Sequence, residues 1–384
     1  MGLDVTLPQD RLEAVLRAAG RAVSGRAPQP VLSGLLLKAG EDRLSAAGYD
    51  LALGICAEAP AVVAEAGSMV VPSRMFLALV GTLPAGSLVR LADLGTGALA
   101  IEAGEGRYSV SLSHEPEDFP VLPTVAPEES IGLPFGQVKR ALNAVLYACG
   151  KEECHMLLQG VEFCRINTDL RLTGGINARS SIYELPGILE TGKDSSFVIP
   201  GPAVKELLKL GLADDDLLLI SHTDSFACFD ASDTVILTNL MAGKYPPFYT
   251  LIPNNCTTEV ICDRQATISA IERVSVVANA ETGKIAFTYN SKTGDVSISV
   301  ANDAGSAADL IATETGSKGE DFSVVFNSSF ILDALRHAEA KLVSISFNEN
   351  KLTKDGLEAR LVKICPVGML LHNQLLATIG QPTT

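Results

Sequence analysis

A pattern that returns at intervals of about 128 residues limits what this chain can fold into more than any other feature. Val70-Val71-Pro72-Ser73-Arg74-Met75-Phe76-Leu77 has counterparts in Val198-Ile199-Pro200-Gly201-Pro202-Ala203-Val204-Lys205 and in Val325-Phe326-Asn327-Ser328-Ser329-Phe330-Ile331-Leu332. Each is a short β-branched run, then Pro or Asn beside a small residue, then apolar residues at helical spacing. A second element keeps step with the first. Leu7-Pro8-Gln9-Asp10, Leu133-Pro134-Phe135 and Cys262-Asp263-Arg264 each open a helix, Pro being tolerated in the first turn and Asp favoured at the positive end of the dipole. Asp118-Phe119-Pro120-Val121-Leu122-Pro123 and the stretch from Tyr245-Pro246-Pro247 to Pro253 read as boundaries. The 384 residues therefore divide into three copies of one module, expected at 1–124, 125–253 and 254–384.

Between the helices the sequence alternates with period two, as in Arg43-Leu44-Ser45-Ala46, Ala98-Leu99-Ala100-Ile101, Arg107-Tyr108-Ser109-Val110-Ser111-Leu112 and Val296-Ser297-Ile298-Ser299-Val300. Such alternation marks strands with one buried face. Leu3, Val5 and Leu7 read as a first strand. Gly95-Thr96-Gly97 and Gly104-Glu105-Gly106 resemble phosphate-binding glycines, but strand sequence follows both, so they are hairpin turns. The module is α+β, two helices on antiparallel sheet.

Composition narrows the function. With 47% apolar and 20% charged residues the chain is an ordinary globular protein. The net charge of −15 argues at first against nucleic acid, since phosphate recognition needs Lys and Arg. The charge is unevenly placed, however. Helix windows 8–23, 73–83, 134–149, 200–210, 263–278 and 328–340 hold eleven basic residues against seven acidic, a balance of +4, which leaves −19 for the rest. Arg17 and Arg21 lie one turn apart on a face separate from Leu12, Val15, Leu16 and Ala19, and Lys205 and Lys209 repeat the arrangement. Basic helices backed by acidic sheets suit a surface that tracks phosphates.

Catalytic chemistry finds no foothold. The five histidines form no HExxH or HxH pattern, and Cys149 with Cys154-His155 lacks a second ligand pair. No catalytic residue, metal site or cofactor is expected. The eight cysteines contain no CxxC and read as reduced thiols. No apolar run reaches the roughly 18 residues of a membrane span, and Met-Gly-Leu-Asp-Val does not open like a signal peptide, so the expected location is the cytoplasm, with no membrane partner.

Taken in order over the repeat, several segments resemble the bacterial DNA polymerase III beta subunit family, the sliding clamps of replication. They are Gly25 to Leu37, Gly48-Tyr49-Asp50-Leu51, Val71-Pro72-Ser73-Arg74, Glu117-Asp118-Phe119-Pro120, Gly243-Lys244-Tyr245-Pro246, Ala270-Ile271-Glu272-Arg273-Val274-Ser275 and Phe326 to Leu335. The resemblance implies three clamp domains per chain and a head-to-tail homodimer whose six domains close a ring. Twelve helices at ~8–10 Å spacing would enclose a hole ~30–38 Å across, wide enough for duplex DNA. At a Debye length of ~8 Å the acidic outer surface would be largely screened from that hole. The implied partners are double-stranded DNA without sequence preference, the polymerase III catalytic subunit, the clamp loader and other proteins with clamp-binding motifs.

The same resemblance implies site residues. Arg26 and Arg74 match positions near DNA, and Arg11, Arg17, Arg21, Lys139, Arg140, Lys205, Lys209 and Arg273 would join them on the helices. The dimer interface would bring the strand of Tyr108 and Val110 against Val276 and Val277, taken as edge strands of one continuous sheet. The pocket for linear peptides would use Leu158, Arg179, Pro246, Leu251, Asn327, Phe330 and a terminal strand Ile364-Cys365-Pro366-Val367.

Departures from the family accompany these matches. Gly175-Ile176-Asn177-Ala178-Arg179-Ser180-Ser181 retains only the Arg of the usual pocket stretch, and Gly201-Pro202 replaces a basic pair. Residues 370–384 read as an extension that folds over or beside the pocket. A non-replicative clamp homologue with a restricted partner set therefore stands as the alternative to a working replicative clamp.

Overall fold

The computed structural model describes residues 2–25, 29–112, 114–123, 130–151, 154–252, 256–279, 283–347, 352–354, 357–366 and 374–380, with the backbone alone described at 251, 352–354, 357–362 and 374–380. The first third runs β1 (Asp4–Pro8), α1 (Gln9–Gly20), β2 (Gly34–Gly40), β3 (Arg43–Tyr49), β4 (Leu53–Pro60), β5 (Val62–Glu65), β6 (Gly67–Pro72), α2 (Ser73–Val80), β7 (Leu88–Asp93), β8 (Ala98–Ala103) and β9 (Gly106–Ser111). The second runs β10 (Ile131–Pro134), α3 (Phe135–Leu146), β11 (Gly160–Ile166), β12 (Asp169–Ile176), β13 (Arg179–Leu185), β14 (Ser195–Pro200), α4 (Gly201–Leu207), β15 (Leu217–His222), β16 (Phe226–Asp230) and β17 (Thr234–Asn239). The third runs β18 (Thr258–Asp263), α5 (Arg264–Ser275), β19 (Lys284–Asn290), β20 (Asp295–Asn302), β21 (Gly305–Ala312), β22 (Phe322–Asn327), α6 (Ser328–His337), β23 (Leu342–Phe347), β24 (Leu352–Lys354), β25 (Leu357–Pro366) and β26 (Gln374–Gly380). Each third thus carries two helices among antiparallel strands, as the periodicity predicts. No helix among the described residues is long and apolar enough to cross a membrane.

The helices form where capping and periodicity agree. In α1, Leu12, Val15, Leu16 and Ala19 are buried while Arg11 and Arg17 face solvent. Asp263 caps α5 by accepting from the Ala266 amide at 2.8 Å, and Asn327 caps α6 by accepting from Ser329 at 3.0 Å. The helices end a few residues short of the windows read from sequence, because the last apolar residues turn into the connecting loops. Close helix–strand approach recurs. A Cβ at Gly48 would collide with the Ala19 carbonyl at the end of α1, and one at Gly174 would collide with the Val145 carbonyl of α3.

The chain forms two compact units, one of residues 1–138 with 202–240 and the other of 139–201 with 241–384. In the first unit, a five-stranded sheet has the order β5-β1-β7-β8-β9 and an eight-stranded sheet the order β10-β15-β16-β17-β4-β3-β2-β6. Its largest core gathers Leu3, Val5 and Leu7 of the first strand segment with Leu12, Leu16, Leu35, Leu37, Phe76 and Leu91. In the second unit, a sheet of order β14-β11-β12-β13-β26-β25-β23-β18, with β24 on β25, accompanies the four-stranded β21-β20-β19-β22. Val260, Ile271, Phe287, Val324, Leu335 and Ile345 lie at the centre of its main core. Glycines at positive φ, Gly95, Gly97 and Gly104, turn the β7–β8 and β8–β9 hairpins, a conformation that costs a side chain strain.

Topology corrects two expectations. After its second helix each third lays down three strands in antiparallel order, β7-β8-β9, β15-β16-β17 and β23-β25-β26. Residues 374–380 are therefore the last strand of the third copy, inserted between β13 and β25, and not an appendage beyond the module. It follows that Ile364, Cys365 and Pro366 do not belong to the terminal strand. They end β25, where Ile364 and Cys365 pair with Ile345 and Ser344 of β23. The second correction concerns Val276 and Val277. They follow α5 in the turn that closes it, and the outer strand of that sheet is β21. An apolar pair at a helix end reads like a strand when only its letters are seen.

Candidate partner-peptide site and basic helix faces

Arg179, the first residue of β13, organises the candidate peptide site. Its guanidinium donates to the Asp333 carboxylate of α6 at 2.7 Å and to the Tyr147 carbonyl at 2.6 Å. It also lies 4.9 Å from the Phe330 ring centroid, over one face. The side chain is only 12% exposed, so these contacts replace much of its water shell. Tyr147 stacks on His337 at 4.3 Å between centroids, and the His337 ring lies 2.7 Å from the Asp333 carbonyl through Nδ1. Burial raises the Tyr147 phenol above its ordinary value. Asn327 and Phe330 are half-buried at the start of α6.

A small apolar cluster lies on the same unit. Leu158 packs against Leu157, Val198, Tyr245 and Phe248, with Pro246 half-buried next in sequence to Tyr245. The Tyr245 hydroxyl donates to the Gly160 carbonyl and accepts from the Gly175 amide, both at 3.1 Å, which fixes the segment holding Pro246 against β11 and β12. Burial raises this phenol too. Nearby, the Cys149 thiol donates to the Gly160 carbonyl at 3.2 Å and is pushed up to about 12 by burial, so it stays protonated at neutral pH. Ile364, Cys365 and Pro366 are buried in β25, while Val367 and the Leu251 side chain lie outside the described residues.

The basic residues of the helices divide into two groups. Among the described residues Arg11, Arg74 and Lys205 are exposed and make no ion pair. Arg17 donates to Glu13 at 2.7 Å, Arg21 lies 3.0 Å from Glu206, Lys209 lies 2.7 Å from the same carboxylate, and Arg273 donates to Asp309 at 2.6 Å. Charge counted by helix window therefore overstates what these four can offer a phosphate, because their counterions sit on the same or a neighbouring element. Lys139 and Arg140 lie on α3, the first half-buried and the second exposed, and Arg26 lies outside the described residues.

At the candidate dimer edges, β9 is the outer strand of the five-stranded sheet, with Tyr108 41% exposed and Val110 buried. Val276 is 84% exposed after α5, and the Val277 carbonyl accepts from Asn302 Nδ2 at 2.7 Å, which ties the helix end to the β20–β21 hairpin.

Sequence reasoning missed Asp333, Tyr147 and His337. The signal was available in part, since Phe330, Asp333 and His337 recur at helical spacing on α6 and so share a face. Nothing in the letters announces that this face meets Arg179, 154 positions away.

A repeated α+β module with two helices among antiparallel strands, met three times in one chain, defines the class, and comparison with known proteins identifies it. Family models described as the N-terminal, central and C-terminal domains of the DNA polymerase III beta subunit match residues 3–123, 132–247 and 249–353. The chain belongs to the DNA polymerase III beta subunit family. A beta sliding clamp of Synechocystis is 28% identical over 361 residues, spanning 89% of this chain and 92% of the relative, and that of Bacillus subtilis is 24% identical over 350. Among solved structures, the B. subtilis sliding clamp superposes with a TM-score of 0.91 at 22% identity over the whole of both chains. A Pseudomonas aeruginosa clamp bound to griselimycin gives 0.89 at 20%, also over both whole chains. Likeness at that level of identity establishes the fold.

Proposed function

We propose that this chain is a processivity factor, a sliding clamp that encircles duplex DNA as a head-to-tail homodimer and tethers the replicative polymerase. One observation carries the reading. In each third, the strand after the first-half hairpin (β4, β13, β21) and the last strand (β9, β17, β26) are the candidates for joints. Four of these six pair with one another inside the chain, β4 with β17 and β13 with β26. That leaves β9 and β21, one on each end module, as sheet edges with no strand opposite among the described residues, so a second copy supplies both missing partners and the assembly closes.

The modules of that ring are 1–124, 125–253 and 254–384. Tyr108 and Val110 meet Val276 and Val277 across the subunit joint, as apolar packing beside the paired strands. Arg11, Arg74 and Lys205 are the strongest phosphate contacts, with Arg26, Lys139 and Arg140 beside them. Arg17, Arg21, Lys209 and Arg273 contribute weakly because of their carboxylate partners. Such a grip is shallow and independent of sequence, as sliding requires. Leu158, Arg179, Pro246, Leu251, Asn327 and Phe330 receive clamp-binding peptides of the polymerase III catalytic subunit, the clamp loader and other partners. The chain performs no chemistry itself, and its place of work is the cytoplasm, at the replisome.

The test is loading. Sedimentation at micromolar concentration should give a dimer, and the protein loaded onto circular DNA should stay until the circle is cut. A monomer, or equal loss from circular and linear DNA, would remove the reading.

A further inference from the structure

We propose that Glu206 sets the strength of the DNA grip by holding Arg21 and Lys209 in the joint between the first two copies, so that joint and phosphate compete for the same two cations. The inference rests on the clamp reading above and adds which carboxylate limits the grip.

The two joints inside the chain follow one plan. Gly48 and Gly174, 126 residues apart, press against the Ala19 and Val145 carbonyls, also 126 apart, so the ends of α1 and α3 correspond. In that register Arg21 is the counterpart of Tyr147, and Leu53 that of Arg179. α4 and α6 begin 127 residues apart, which makes Glu206 the counterpart of Asp333 and Ala203 that of Phe330. At the second joint, Asp333 holds a guanidinium from β13. At the first, Glu206 holds one from the end of α1, Arg21 at 3.0 Å, and adds Lys209 at 2.7 Å. Where Arg179 and Phe330 fill the second joint, the first has Leu53 and Ala203, and a cavity of about 450 Å³ remains, lined in part by Arg21, Asp50, Leu53, Lys205, Glu206 and Lys209.

Burial decides how firmly the cations are held. Glu206 keeps 12% of its side-chain surface and Arg21 29%, the reverse of the second joint, where the guanidinium is the more buried partner. Glu206 Oε2 and Arg21 Nε are buried with no hydrogen-bond partner among the described residues, so their ion pair is what offsets the lost water. A phosphate that drew both cations away would strand the carboxylate, which is costly. The cavity's other carboxylate, Asp50, accepts from the amides of Ala52 and Leu53 at 2.9 and 2.7 Å. Lys205 makes no ion pair among the described residues, so of the three cations it is the one that phosphate takes without competition. Removing the Glu206 charge therefore frees two cations for DNA and unfastens the joint, effects of opposite sign.

Glu206→Gln keeps the shape of the side chain and removes its charge. The full-length variant should bind a short duplex with a slope of log affinity against log salt steeper by up to about 1.8, two phosphate contacts at about 0.9 each. Its Tm should fall by roughly 2–6 °C. Lys209→Ala should flatten the slope by about 0.9 in the Glu206→Gln background and by much less in the unsubstituted protein. Asp42→Asn removes an exposed carboxylate at the far end of β3 from Asp50 and controls for net charge alone. A Glu206→Gln slope no steeper than that of Asp42→Asn overturns the proposal, and so does a steeper slope with an unchanged Tm, which leaves no joint for phosphate to compete with. Should Glu206→Gln not fold, Lys205→Ala and Lys209→Ala answer in the native background: the first should flatten the slope by about 0.9 and the second by much less, and equal losses overturn the proposal. Unsubstituted protein that leaves circular and linear DNA equally fast removes the clamp reading and the proposal with it, whereas retention on circles with no effect of Glu206→Gln removes the proposal alone.

Discussion

Arg179 and Asp333 meet at 2.7 Å, and that contact ties the first residue of β13 to the middle of α6 across 154 positions of sequence. Asp333 keeps 36% of its side-chain surface while Arg179 keeps 12%, so the cation is the partner more removed from water. The Tyr147 carbonyl and the Phe330 face complete its surroundings.

Asp333→Ala should cost about 1–3 kcal/mol, because it leaves a largely buried guanidinium with one hydrogen-bond partner fewer. The urea midpoint should fall with an unchanged slope. Arg179→Ala removes the buried cation as well as its partner's contact, so it should cost no more than Asp333→Ala; a clearly larger loss would mean that packing on Phe330 dominates.

The basic helices make a graded prediction about DNA. Arg74→Ala removes an exposed, unpaired cation and should reduce the slope of log affinity against log salt by about 0.9 for one lost phosphate contact. Arg17→Ala should change that slope by much less, since Glu13 already competes for the guanidinium. Fluorescence anisotropy on a short duplex between 25 and about 200 mM salt reads both. Equal slopes for the two variants would show that the Glu13 pair opens when DNA arrives.

Alkali should weaken the fold through its buried thiols. Burial pushes Cys149 and Cys262 up to about 12 and Cys365 up to about 11, so the unfolded chain releases these protons first. With the native state holding more protons, stability falls as pH rises above the ordinary thiol value of 9.0 and levels off only near the folded values. Each such thiol contributes about 1.4 kcal/mol per pH unit in that window. Denaturant midpoints from pH 8 to 11 measure the slope, and Cys149→Ser should flatten it. Below pH 8 these groups should contribute no pH dependence.

Stopping the chain at residue 373 should do far more than trim a tail. It removes β26, leaves the edge of β13 open and strips β25 of a partner. A drop in Tm of several degrees and concentration-dependent light scattering are expected. A truncated protein with the full-length Tm would mean that β26 adds nothing to the sheet.

Much of this fold was legible in the letters. The helix openings at Pro8, Pro134 and Asp263 and the alternation in 107–112 and 296–300 led to helices and strands where the structure has them. What escaped was the end of the third copy. β17 begins 128 residues after β9, but β26 begins 140 after β17, because the third copy carries extra chain on either side of β25. A search keyed to a 128-residue period stops too early and mistakes β25 for the last strand. The ion pairs escaped for another reason. Asp309 neutralises Arg273 from a strand 36 positions on, and register across α5 and β21 is a tertiary fact. Of the candidate peptide site, Arg179, Asn327 and Phe330 stood out through family resemblance, whereas their carboxylate and tyrosine neighbours are brought in by tertiary packing, Asp333 from 154 positions away and Tyr147 from 32.

The insertion of β26 beside β13 also sets a timetable for biosynthesis. β13 ends at Leu185, and its partner strand begins at Gln374, nearly 190 residues later. At ribosomal speeds of ~5–20 residues per second, β13 waits ~10–40 s with its backbone edge unsatisfied. The nascent chain therefore passes through a long interval in which a chaperone, or a neighbouring nascent chain on the same messenger, can claim that edge first. Only the synthesis of β26 itself ends the competition.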